Sequence, residues 1–205
     1  MPGTRNRFGQ TGDSSSNVVV STGPEMEPLT RDEVKLHLGA EGVADIDERI
    51  DQLIAGARAR VERTTGRRLL NQTLAIYSDR FPAGRELALP VAPVSSVSDV
   101  QYYDVDGTLQ VFSSSSYYAD TIKEPGRIVL VDGEVWPETQ VGRPNAVVVN
   151  LVAGYGADAA DVPEGITTAM LMMIEQAHDR PDENYLKALE RVQISELSPY
   201  YLRRF

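Results

Sequence analysis

"DIDERIDQLIAGARARVERTTG", residues 45–66, runs directly into "RRLLNQTLAIYS", residues 67–78, and the change of pattern between them decides the fold. In the first stretch Ile46, Ile50, Leu53, Ile54, Ala57 and Val61 recur at the spacing of one helical face. Asp45 and Glu48 supply a capping signal at its start, and Gly66 a C-terminal stop. In the second stretch "TLAIYS" alternates, the period of a half-buried strand. A helix therefore hands over to a β-rich region within a few residues.

Working outward, the upstream "LTRDEVKLHL" carries a capping box, Thr30 with Glu33, and predicts a short helix to about Leu38, stopped by Gly39. Downstream, "SVSDVQYYDVDGTLQVF" reads as strand, Asp106-Gly107 turn, strand, and "GRIVLVDGEVW" as the same around Asp132-Gly133. "LALPVAP" is extended and broken by prolines, and "AVVVNLVAGYG" is a last buried strand that Gly154 and Gly156 let turn sharply away. Helices return at "DVPEGITTAMLMMIEQAHDRP", with Asp161 as cap, Pro163 in the first turn and Pro181 as stop. Its stripe of Ile166, Ala169, Met170, Met173, Ile174 and Ala177 should pack on the Ile46-to-Val61 face. "ENYLKALERVQISEL" predicts a last short helix or turn. The fold class is thus α+β: a small helical bundle with a β-rich insertion of short antiparallel strands at about residues 71–152, and extended N- and C-terminal arms. The expected boundaries are an arm at 1–28, the main domain at 29–194 and a C-terminal hook at 195–205.

The chain has 205 residues, a net charge of −10 and no cysteine. That length is enough for a real core. The cysteine count excludes a disulfide scaffold, a thiolate zinc site and a cysteine nucleophile. No apolar run approaches a membrane span, and the first residues lack the apolar core of a signal peptide, so no membrane partner and no secretion are expected. The acidic balance argues against sequence-independent nucleic-acid binding. "GRR" at 66–68 and the pair Arg203 and Arg204 are too few for a basic patch, and the charges between Asp47 and Arg60 read as a solvated helix face.

Catalytic and metal signals are weak. His37 and His178 lie on separate predicted helices, with no serine in a nucleophile-elbow motif. "HDRPDE" reads as a polar helix end, and "YDVDG" fails as a calcium loop because Tyr102 and Ser113 fall where carboxylates belong. No phosphate-binding glycine motif occurs. Asp104, Asp106 and Asp132 offer carboxylates for a small hydrolase, but each sits where a hairpin turn favours Asp for backbone reasons. No catalytic residue, cofactor or metal is assigned, and the chain is not expected to be an enzyme.

The ends stand out instead. Residues 1–28 are rich in Gly, Ser, Thr, Asn and Pro, with Val18, Val19 and Val20 as their apolar run. A flexible tail is the default for such composition; where something holds the arm, a neighbouring subunit is the natural candidate, these valines adding a strand to a sheet edge. The chain closes on "SPYYLRRF". A hook of Tyr200, Tyr201, Leu202, Arg203, Arg204 and Phe205 combines residue types that dominate interface energetics. The alternative is that the hook folds back on its own domain.

Taken in order, "LTRDEVKLHL", "IDQLIAGARARVERTTGRRLLNQT", "LALPVAPVSSVSDVQYYDVDG", "VVVNLVAGYG", "VPEGITTAMLMMIEQAHDRP" and "LSPYYLRRF" resemble the head–tail connector, or adaptor, family of long-tailed phages. The resemblance covers roughly residues 29–205. It implies a structural virion protein of the neck, assembling as a ring of about twelve copies beneath the portal. The ring would extend the DNA channel without binding DNA specifically and meet stopper or tail-terminator proteins below. It also implies that the C-terminal segment reaches the portal. Another neck component, a stopper or tail-completion protein, is the alternative. Residues 1–28 precede the family pattern, and in "PYYLRRF" the arginines come later than is usual in the family.

Overall fold

The computed structural model describes residues 17–43, 45–179 and 182–202. In chain order these form β1 (Asn17–Thr22), α1 (Arg31–Leu38), α2 (Asp47–Thr65), β2 (Gln72–Ser78), β3 (Glu86–Ala88), β4 (Val94–Tyr103), β5 (Leu109–Phe112), β6 (Tyr117–Asp120), β7 (Arg127–Leu130), β8 (Val147–Ala153), α3 (Glu164–Asp179) and α4 (Glu183–Leu197). The fold is mixed α+β with antiparallel sheets, and it has two apolar cores.

The helical core joins one face of each of the first three helices. Val34 of α1, Ile50, Ile54, Ala57 and Val61 of α2, and Ile166, Ala169, Met170, Met173 and Ile174 of α3 are buried together, with Leu29 and Leu197 closing the ends. The expected stripes therefore meet, except that Ala177 in the last turn of α3 is exposed. Thr30 and Glu33 make the capping box, and Gly39 ends α1 in the left-handed region. The Asp45–Glu48 box does not form. Ile46 packs against the core in a non-helical conformation (φ −106°, ψ 1°), so α2 starts one residue too late for Asp45 to cap it. Asp161 likewise caps not α3 but the short 3-10 turn Ala159–Asp161, where its carboxylate accepts from the Asp158 amide at 3.0 Å. The carbonyl of Pro163 receives the first α3 amides. The last helix is longer than expected at 15 residues, capped by Asp182, whose carboxylate accepts from the Asn184 and Tyr185 amides.

The second core lies between a five-stranded sheet, in the order β1-β2-β8-β4-β5, and a three-stranded sheet, in the order β3-β7-β6. The Asp106-Gly107 hairpin forms between β4 and β5 as its sequence predicts. The second one does not. The chain turns at Asp132-Gly133, but no strand follows, because both edges of β7 are already paired, with β3 and with β6. Trp136 instead lays its ring on Phe81, 4.7 Å between centroids and 9° from parallel, and donates to the Gly84 carbonyl at 2.8 Å.

Two connectors join the units side by side. The Asn71 amide donates to the Gly156 carbonyl and the Tyr155 amide to Leu69. Gly154 (φ +149°) stands where a Cβ would come within 2.4 Å of the Leu70 and Asn71 backbone, so the tight approach needs glycine.

Candidate assembly surfaces

Val18, Val19 and Val20 do form a strand on a sheet edge, and the edge is that of their own chain. Val18 pairs with Ile76, Val19 with Ala75 and Val20 with Leu74 of β2. Val18 packs against the β core, whereas Val19 and Val20 are exposed. The N-terminal segment is then carried to the helices by a bidentate pair: the Arg58 guanidinium donates to both carboxylate oxygens of Glu27 at 2.7 and 3.1 Å.

That pair qualifies the expected solvated face of α2, where Glu48, Arg49 and Arg60 are exposed as expected but Arg58 is not. Arg58 is committed to Glu27, while Asp51 takes Arg31, and Asp47 takes Lys35, both from α1. Glu62, one turn beyond Arg58, is buried and accepts from the Leu69 amide (3.1 Å) and the Gln72 side-chain amide (2.7 Å), with Arg68 alongside. A carboxylate with these donors fixes how the helix leads into β2.

The C-terminal end is held by Arg67, which sequence reading grouped with a weak basic patch. Its side chain is buried between the two units. It donates from Nε to the Tyr200 carbonyl at 2.7 Å and forks onto both oxygens of Glu124 in the β6–β7 turn. Burial pulls the guanidinium pKa down, but hydrogen bonding and charge from Glu124, and the neighbouring Tyr155, leave it raised. Burial also pushes the Tyr155 hydroxyl up.

Beyond this grip the Leu202 amide donates to the Thr65 carbonyl at 2.9 Å. Gly66 (φ +76°) caps α2 and lies under the Leu202 side chain, where a Cβ would come within 3.1 Å of Cδ1. Tyr200 packs on the helical core; Tyr201 is 40 % exposed. Of the hook residues, Tyr200, Tyr201 and Leu202 are thus rooted at one place, and Arg203, Arg204 and Phe205 lie outside the described residues. The signal that would have found Arg67 is its position: an arginine immediately after a helix-ending glycine is carried back toward the helix terminus and whatever crosses it.

Three of the residues weighed for catalysis, His37, Asp104 and Asp132, have structural partners. His37 Nε2 lies 3.0 Å from Glu175, which also accepts the Tyr185 hydroxyl, so α1, α3 and α4 meet there. Asp104 is spent inside its hairpin: it accepts from the Gln110 side chain and from the Thr108 and Asp106 amides, which hold its carboxyl below the usual range. That direction is wrong for a general acid near neutral pH. Asp132 pairs with Arg85 on the surface. Among the described residues no three His, Asp or Glu side chains converge to hold a metal ion, and no helix is long and apolar enough to cross a membrane.

Set against known proteins, the sequence matches no family and no curated relative. Solved structures do match. The chain superposes on a chain from the neck of the empty gene transfer agent particle, computed with C6 symmetry, at a TM-score of 0.76 and 19% identity, over 92% of this chain and 97% of that one. The fold is one found in gene transfer agent necks. A chain from the virion of the native gene transfer agent particle gives 0.73 at 19% identity, over 92% and 96%. One from the native neck, computed with C12 symmetry, gives 0.65 at 20%, over 88% and 96%. This neck fold is shared nearly end to end, so it includes both the helical unit and the β unit.

Proposed function

We propose that the chain is a structural subunit of the neck of a tailed, phage-like particle, and within the neck the ring adaptor between portal and stopper or tail-terminator proteins. The observation that carries this is the superposition over 92% of this chain and 97% of its counterpart from a neck. The C6 and C12 symmetries of those neck structures suit a closed ring. A net charge of −10 suits a channel that passes DNA without holding it.

In this reading Arg67 and Thr65 hold the root of the tail, so that Tyr201 and the following Arg203, Arg204 and Phe205 are presented to the portal from a fixed point. Rings and guanidinium groups bury area and pair with carboxylates at the contact. Repetition around the ring multiplies a modest contact into large avidity.

The test is sedimentation of the full chain, and of a chain ending at Leu202, each mixed with portal rings. A deeper truncation confuses the result, because Leu197 at the end of α4 is 2% exposed in the helical core. The full chain should add a ring's worth of mass to the portal and the shortened chain should not. Equal binding by both would remove the tip from the contact. Binding by neither would move the protein to another neck position, that of a stopper or tail-completion component.

A further inference from the structure

The two sheets treat their edges differently. In the three-stranded sheet the edges are β3 and β6, of three and four residues, and both carry acid: Glu86 and Asp120 each take the guanidinium of Arg127 on the central strand, at 2.8 and 3.0 Å. Short, charged edges resist pairing with another chain. In the five-stranded sheet the edges are β1, "NVVVST", and β5, "LQVF". Neither has a charged residue or a proline, although 24% of the whole chain is charged. Val19 is 48% exposed and Val111 66%, with Val20 and Leu109 exposed beside them. Among the described residues, no backbone hydrogen bond from a loop or helix covers the outer side of either strand.

Strand direction adds a geometric condition. Each of the four pairings across this sheet is antiparallel. Four reversals return the chain to its starting direction, so β1 and β5 run the same way on opposite edges. For strands that run along a ring axis, rotation by one subunit keeps that direction and sets β5 of one copy toward β1 of the next. Two copies of β1 meet only through a two-fold axis, antiparallel, and that closes a dimer. A cyclic ring needs two different, complementary surfaces on each subunit, and the two open edges of one sheet supply them.

We propose that β5 of each subunit pairs in parallel with β1 of its neighbour, joining the five-stranded sheets into one continuous belt around the ring. This rests on the ring reading above and names the lateral contact within it. In each strand register the side chains of Val19 and Val111 lie on the outer sheet face, since their partners Ala75 and Gln101 both belong to it through Asn150, Asp99 and Val148. They would therefore stand on the same side of the new pair.

The chain has no cysteine, so engineered ones report alone. The full-length variants V19C, V111C, the double V19C/V111C and, for a second register, N17C/V111C are assembled with portal and oxidised mildly. All three positions are exposed, and far-UV circular dichroism confirms that the variants stay folded. The double variants should give a reducible ladder of linked copies up to ring size. The single variants should stay monomeric and, mixed with each other, stop at dimers. Dimers from V19C alone would overturn the proposal in favour of β1 pairing with itself. A ring that sediments at full mass but gives no ladder with either double variant would overturn the proposal and leave the ring reading intact. Failure of the wild-type chain to form any ring would sink both.

Discussion

The two ends of the described chain are fastened by different chemistry. At the N-terminal end the grip is a backbone ladder: β1 lies along β2 and commits little side chain, since Val19 and Val20 remain exposed. At the C-terminal end there is no ladder. One buried guanidinium, Arg67, holds a single carbonyl, and one amide of Leu202 holds another. A ladder spreads its free energy over many weak bonds, so no single side chain decides it. A charged fork concentrates the hold in one residue, which a single substitution can remove.

The largest expected effect is therefore at Arg67. Arg67→Ala leaves Glu124 and the Tyr200 carbonyl without their donor, and should cost about 2–3 kcal/mol of unfolding free energy in a urea titration. It should also speed hydrogen exchange at the Leu202 amide more than at β1. Equal exchange at both ends would mean that the tail is held by its apolar contacts alone.

Glu27→Ala, which removes the ion pair on the N-terminal side, should cost less, about 1 kcal/mol, because both partners are partly solvated. The β1 amides should keep their protection in that variant. Their loss would show that the ladder depends on the Glu27–Arg58 anchor.

Acid should give the smallest effect, and it sharpens the comparison because β1 contains no titrating side chain. Asp104 is held low by Gln110 and Thr108, and Asp120 by Arg127 and Lys123. A carboxyl lowered in the folded state binds its proton less readily than in the unfolded chain. Its contribution is present above the ordinary carboxylate range near about 4 and is lost as pH falls through the lowered value. The thermal midpoint should drop below that range, and Asp104→Asn should flatten the slope. An unchanged slope in D104N would assign the acid sensitivity to other groups.

Much of this could be read from the chain. The stripes on α2 and α3, the Thr30 box, the Gly39 and Gly66 stops and the β4–β5 hairpin all carry local signals, and they form. Two local cap signals misplaced a helix start, since α2 begins after Ile46 and Asp161 serves the 3-10 turn before α3; the other differences were non-local. The Asp132-Gly133 turn has the same local chemistry as Asp106-Gly107, yet only the latter had a free strand edge for the returning chain. The polar, serine-rich approach to β6 gave no alternation to read, and the strand exists because β7 offers it a partner. The position of Arg67 after Gly66 hints at a role near the helix end, but its partners Glu124 and Tyr200 lie 57 and 133 residues away and carry no local signal.

Periodicity, caps and turn residues were enough to determine the α+β class, the order of helices and strands, and two ends of unusual composition, because each depends on neighbours within a few residues. Which strands became edges, and where the tail took root, were decided only when distant segments met. Burial of Arg67 and pairing of β1 with β2 draw their free energy from groups that the chain brings together on folding, and no local pattern records such a meeting.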